Sequence, residues 1–231
     1  MKDSELAGQN FRGFAEKVAL VTGGAHGVGR AIALQLALEG AFVVIQHDSN
    51  DGQAAEVVSE LQALGTIAFA VEGDVSSPTS VRAVFDTVEQ AYGRLDLLVN
   101  VFDEWPALPV SEISDAAWRE SMAGGIDRCF ACCGVAERLM RNRPSGSIVN
   151  VFSSAVETIE ANSLAGAVNA SGLAALTSVL GAQLKPKIRV NAVELACRDG
   201  ESASNDDVAR ACVYLLSSEA KAINGRTLKV G

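Results

Sequence analysis

Seven short apolar runs rich in β-branched residues recur along this chain, and most gaps between them are long enough for a helix. The runs are "KVALVT" (17–22), "FVVIQ" (42–46), "IAFAV" (67–71), "LDLLVN" (95–100), "SIVNVF" (147–152), "IRVNAV" (188–193) and "TLKV" (227–230). Helix-period stretches begin near Gly27, Gly52, Pro78, Asp115, Ser163 and Asp206. Such alternation predicts a parallel sheet covered on both faces, because a parallel connection must cross over a face and a helix is what crosses. Burial on both faces also explains why the runs are continuously apolar. With no long linker and no internal repeat, residues 17–231 are expected to form one doubly wound α/β domain, preceded by a mobile polar tail over 1–16.

Composition narrows the function classes. A hydrophobic content of 48% in 231 residues is ample for a sizeable core. A net charge of −9 argues against nucleic acid, which calls for a basic footprint. The apolar runs are strand-length, short of the ~20 residues that cross a bilayer, so no membrane association is expected. The start is polar, without an apolar signal core, which points to the cytoplasm. Five cysteines do not suggest a disulfide framework. Cys129, Cys132 and Cys133 in "CFACC" follow helical spacing, and the two histidines, His26 and His47, lie in other loops. Buried thiols packing a helix are expected there, and no metal site.

"TGGAHGVG", Thr22 to Gly29, follows the first strand directly and opens the first helix. Glycines permit a tight turn and close backbone approach, and the helix start offers free N–H groups to an anion such as a pyrophosphate. The strand–loop–helix context makes the pattern specific where a lone glycine motif is weak.

From here the chain resembles the short-chain dehydrogenase/reductase family, and the likeness runs from Lys17 to Val230. It rests on TGxxxGxG at Thr22, Gly23, Gly27 and Gly29, on "GDVSS" with Asp74, and on "YGRLDLLVN", "GSIVNVFSS", "IRVNAV" and "SSEAKAINGRTLKVG". The resemblance implies a Rossmann-type, seven-stranded parallel sheet. It places an NAD or NADP cofactor against Thr22, Gly23, Gly27, Val28, Gly29, His47, Asp74, Val75 and Asn100. His47, with Asp48 beside it, stands at the cofactor-selecting position, where an acid favours NAD. His26 stands where NADP-preferring members often carry Lys or Arg, so the two cues conflict. Phe102 and Asp103 replace small residues after the fourth strand, which counts against dinucleotide binding.

The family's catalytic set is Asn–Ser–Tyr–Lys. Tyrosine moves a proton at the substrate oxygen, and a free phenol, with a pKa near ~10, needs an adjacent ammonium to work near neutrality. Aligned on "GSIVNVFSS", the serine is Ser153, the tyrosine position is Gly166 and the lysine position is Ala170; "ASGLAALT" gives the same register. Counting from Trp118 puts the asparagine at Gly125. Only Ser153 remains. Tyr92 and Tyr214 fall at packing positions, and Lys185 and Lys187 lie beyond the far end of the fifth helix. The turn after the sixth strand is Leu195 and Ala196, and the substrate lid shrinks to "LACRDGESASND".

Carboxylates gather at the strand ends: Asp48, Asp103, Glu104, Glu157 and Glu194. They read as solvated loop residues, with a cation site or a new acid/base pair as the alternative. Three functional readings follow. The first is a degenerate family member acting in nucleotide binding or assembly, as a homo-oligomer or with a related chain. The second is a working NAD(P)-dependent oxidoreductase using Ser153 with Glu157, Glu194 or water. The third is a non-redox use of the crevice.

Overall fold

All seven runs become strands of one parallel sheet in the computed structural model, which describes residues 13–48, 52–75, 77–102, 110–153, 163–198 and 201–231. The order along the chain is β1 (Val18–Thr22), α1 (Gly27–Leu38), β2 (Phe42–His47), α2 (Gln53–Ala63), β3 (Ala68–Glu72), α3 (Pro78–Tyr92) and β4 (Leu97–Phe102). Then come α4 (Asp115–Met122), a π-turn (Ala123–Asp127), α5 (Arg128–Met140), β5 (Gly146–Ser153), α6 (Leu164–Leu184) and β6 (Ile188–Leu195). A small hairpin of β7 (Cys197–Arg198) and β8 (Glu201–Ser202), helix α7 (Asn205–Leu216) and β9 (Thr227–Val230) complete it.

The sheet runs β3-β2-β1-β4-β5-β6-β9, every pair parallel. The direction of strand addition reverses between β1 and β4. A crevice opens beyond the carboxyl ends of the strands at such a switch point, and ligands of open α/β sheets bind there. One sheet face buries a core with α1, α2 and α7; the other buries a second core with α3, α5 and α6.

Two expectations need correction. Residues 13–16, placed in the tail from their polarity, form a turn whose Phe14 is only 4% exposed and whose backbone N–H donates to the Glu39 carbonyl at 3.0 Å. Residues 1–12 lie outside the described residues. Secondly, apolar character is not confined to strand-length runs: α6 has 21 residues and an 18-residue window of mean hydropathy 1.4, enough by length and composition to span a bilayer. Its buried Asn169 and Thr177 are bonded to other elements of the domain, so α6 lies across the sheet as a core helix.

Candidate active site

The glycine loop is shaped by contacts that exclude a side chain. Gly23 and Gly27 have φ of +65° and +51°, the left-handed region that favours glycine. A Cβ on Gly29 would sit 2.0 Å from the Gly23 carbonyl oxygen, so the first turn of α1 closes directly on the loop. His26, at the N-cap, makes no side-chain cap bond, so the first N–H groups of α1 receive no cap from it. His26 is exposed, and Val28 is buried in the core. Thr22 is fully buried and its Oγ1 accepts the Val101 N–H at 3.3 Å, tying the loop to β4.

Gln46, a residue the motif reading passed over, braces the loop from below. It is 1% exposed; its Oε1 accepts the Gly23 N–H at 3.0 Å. Its Nε2 donates to Asp48 Oδ1 at 2.6 Å and to the Gly73 carbonyl at 2.7 Å. One buried amide therefore holds together the glycine loop, the end of β2 and the segment carrying Asp74. Asp48 is thus drawn to Gln46, while Asp74 is exposed, His47 half-buried and Val75 buried. A helix start that its N-cap side chain leaves uncapped, behind a cradle that a single Cβ would fill, fits the pyrophosphate of a dinucleotide.

At β4 the geometry departs from expectation. Phe102 was expected to narrow the crevice, but it is 3% exposed and belongs to the core beneath α5. Side chains alternate along a strand, so Phe102 shares a face with Leu98 and Asn100 and turns away from the crevice. Over its ring, 4.8 Å from the centroid, lies the guanidinium of Arg128, whose Nη2 donates to the Val101 carbonyl. Asn100 is also fully buried, and its side chain serves the core: its Nδ2 donates to Asn150 Oδ1 at 3.0 Å, and Asn150 Nδ2 donates to Thr177 Oγ1 at 3.0 Å. Fully buried, Asn100 offers no exposed side-chain atom to a ligand. Asp103, Glu104 and Glu157 lie outside the described residues.

The positions that the resemblance assigns to catalysis lie at the carboxyl end of the sheet. Ser153 ends β5, half-buried and paired in register with Leu195. Gly166 sits in the first turn of α6, its N–H donating to the cap Ser163 Oγ at 3.1 Å. Ala170, one turn on, is 3% exposed in the same core as Phe102 and Phe152. Phe152 is 1% exposed, so aromatic bulk from the sheet occupies core space beside the small residues of α6. Gly125 is buried within the π-turn.

Asn169 explains how that turn is held. A π-turn shifts helical pairing by one residue and leaves a backbone donor over. Asn169 Oδ1 accepts the Ile126 N–H at 3.1 Å, and its Nδ2 donates to the Ser121 and Ala165 carbonyls at 3.1 Å each. Gly172 completes the contact, since a Cβ there would meet Ile126 Cδ1 at 2.4 Å.

Among the described residues, no phenol stands beside an ammonium at this end. Tyr92 stacks on Phe42 and Phe69, with ring centroids 5.8 and 5.9 Å apart, at the opposite end of the sheet. Desolvation raises its pKa. Tyr214 lies partly exposed on α7. Lys185 follows the last residue of α6, and Lys187 donates to the Arg141 carbonyl at 3.1 Å, both at the amino end. Glu194, read from sequence as a solvated carboxylate, is 9% exposed, and its Oε1 lies 3.7 Å from Lys229 Nζ. Register aligns Phe102, Phe152, Glu194 and Lys229 in one row across the sheet.

Four cysteines among the described residues pack in the core. Cys129, Cys132, Cys133 and Cys212 are all buried thiols. Burial pushes Cys132 up to about 12, and Cys129 is raised by its hydrogen bond with Cys133 and by burial.

Comparison with known proteins agrees with this architecture. The short chain dehydrogenase family matches residues 17–209. A cis-4-hydroxycyclohexanecarboxylate dehydrogenase of Sinomonas cyclohexanicum is 35% identical over 240 residues, covering 94% of this chain and 96% of that one. A 3-oxoacyl-acyl-carrier-protein reductase of Staphylococcus aureus is 30% identical over 240 residues, covering 93% and 96%. The solved structure of a 7α-hydroxysteroid dehydrogenase, complexed with NADH and 7-oxo glycochenodeoxycholic acid, superposes with a TM-score of 0.88 at 25% identity, covering 96% and 95%. The chain belongs to the short-chain dehydrogenase/reductase family.

Proposed function

We propose that this protein binds a nicotinamide dinucleotide through its glycine loop but does not carry out the tyrosine-dependent reduction of its family. Its role is then one of binding or assembly. The observation that carries the reading is that Gly166 and Ala170, the α6 positions where the family's tyrosine and lysine are expected, are small and buried. The chain's two tyrosines are Tyr92 and Tyr214, and neither lies at this end of the sheet. Gly23, Gly29 and the α1 start would hold the pyrophosphate, braced by Gln46 and Thr22. A bound dinucleotide supplies a hydride donor or acceptor. The chain's own residues must supply the matching proton, and loss of a general acid alone costs ~10²–10⁴ in rate. Ser153 orients an oxygen without delivering that proton.

A second reading keeps catalysis with Ser153 and uses Glu194 as proton source; its burial at the carboxyl end of the sheet favours it. Calorimetric titration with NAD, NADH, NADP and NADPH separates the cases. Binding of at least one, with carbonyl reduction absent, supports the proposal. Binding of none removes the dinucleotide role, and reduction lost in Glu194→Gln establishes the second reading.

We further propose association through α5 and α6, whose outer faces carry Phe130 at 65%, Val168 at 37% and Val179 at 51% exposure. The partner is a second copy or a related chain. Light scattering at micromolar concentration tests this: a dimer or larger is expected, and a monomer that also fails to pair with a related chain contradicts it.

A further inference from the structure

We infer that Arg128 is an anion-binding residue of the crevice, contacting the phosphate-bearing part of a dinucleotide held by the glycine loop. The inference rests on the dinucleotide reading above and goes beyond it by naming a contact outside the glycine motif. Its first support is position. The Val101 carbonyl that accepts the Arg128 Nη2 bond would lie 3.8 Å from a Cβ built on Gly23, so guanidinium and glycine loop adjoin the same carbonyl. The Val101 N–H, in turn, is bonded to Thr22.

Its second support is an unmet demand. Arg128 Nε is buried with no hydrogen-bond partner, and no carboxylate among the described residues lies within ion-pair distance of the guanidinium. A half-buried guanidinium keeps its cost of desolvation unless an anion or further acceptors meet it. Here Val101 and the Phe102 ring satisfy one edge and one face, which leaves part of the fork for a ligand.

Its third support is rigidity. Arg128 is the first residue after the π-turn, and Asn169 fixes that turn through Ile126 and Ser121. The cation is therefore set in place before any ligand arrives. In a chain of net charge −9, with Asp48 and Asp74 exposed on the same rim, it offsets the carboxylates that would repel a pyrophosphate.

The test compares wild type with Arg128→Gln and Arg128→Lys by calorimetry, using NADH, ADP-ribose and adenosine as probes, with thermal unfolding as the check on folding. Expected for Arg128→Gln is a loss of about tenfold or more in affinity for NADH and ADP-ribose, the size of one lost charge-assisted contact. Adenosine binding should stay within twofold, and the salt dependence of NADH binding should flatten. Arg128→Lys keeps the charge without the fork and should fall between the two. If Arg128→Gln destabilises the fold, Arg128→Lys carries the comparison. Wild-type binding with unchanged or tighter binding in Arg128→Gln overturns the inference alone, and tighter binding marks the guanidinium as an obstruction. Failure of wild type and both variants to bind NADH overturns the dinucleotide reading, and the inference with it.

Discussion

Replacing Asn169 with leucine tests whether a single buried amide holds the wall of the crevice. The two side chains are close in size, so the substitution removes hydrogen bonds while leaving little cavity. Asn169 gives one acceptor to the Ile126 N–H and two donor bonds, to Ser121 and Ala165, each at 3.1 Å. Ala165 is four residues back in the same helix, so its carbonyl keeps a helical partner and its loss costs little. The Ile126 N–H is different, because the π-turn has shifted it out of the helical ladder. Leaving a buried donor unpaired costs about 1–3 kcal/mol, and the lost bond to Ser121 adds about 1 kcal/mol. The sum, about 2–4 kcal/mol, lowers Tm by roughly 4–16 °C in a domain of this size. Thermal unfolding followed by circular dichroism measures it. Asn169→Asp keeps the acceptor for Ile126 but sets a carboxylate against the Ser121 and Ala165 carbonyls, so it should be destabilised at least as much. A Tm for Asn169→Leu within about 2 °C of wild type would refute the reasoning, because the π-turn would then be holding itself.

Two further outcomes follow from the geometry. Gly29→Ala puts a Cβ 2.0 Å from the Gly23 carbonyl oxygen, so the loop must move; dinucleotide affinity should fall at least tenfold, about 1.4 kcal/mol, and an unchanged affinity would show that the loop is not the binding cradle. The raised thiols predict alkaline sensitivity. Cys129, Cys132 and Cys212 have folded pKa values above the ordinary 9.0, so their contribution is whole below about pH 9 and is lost as pH rises toward the folded values. Each contributes up to ~1.4 kcal/mol per pH unit in that window. The urea midpoint should therefore drop between about pH 8 and about pH 10, less steeply in Cys132→Ala, and a flat midpoint would place these thiols in contact with solvent.

The sheet was legible because its signals are local. Each strand shows as an apolar run, and the glycines of the first turn stand where backbone sterics demand them. Gln46 was not legible, because its three bonds reach residues 23 and 27 positions away and two residues on. Arg128 was missed for the same reason, since its partner Val101 lies 27 positions back. Phe102 could have been read correctly: carrying β4 two residues beyond Asn100 and applying strand alternation turns it toward the core. Asn169 left a trace too, as the lone amide in "SLAGAVNASGLAALT". A buried polar residue in a helix of small apolar ones needs partners, but nothing in the sequence announces a π-turn to supply them.

The most direct test of the central claim follows NADH absorbance in the presence of cyclic and acyclic ketones, on protein shown by calorimetry to hold the dinucleotide. The account predicts saturable binding with no ketone-dependent consumption above the protein-free rate. Steady consumption of NADH matched by equimolar alcohol, and abolished by Ser153→Ala, would contradict it and restore a working proton donor to this chain.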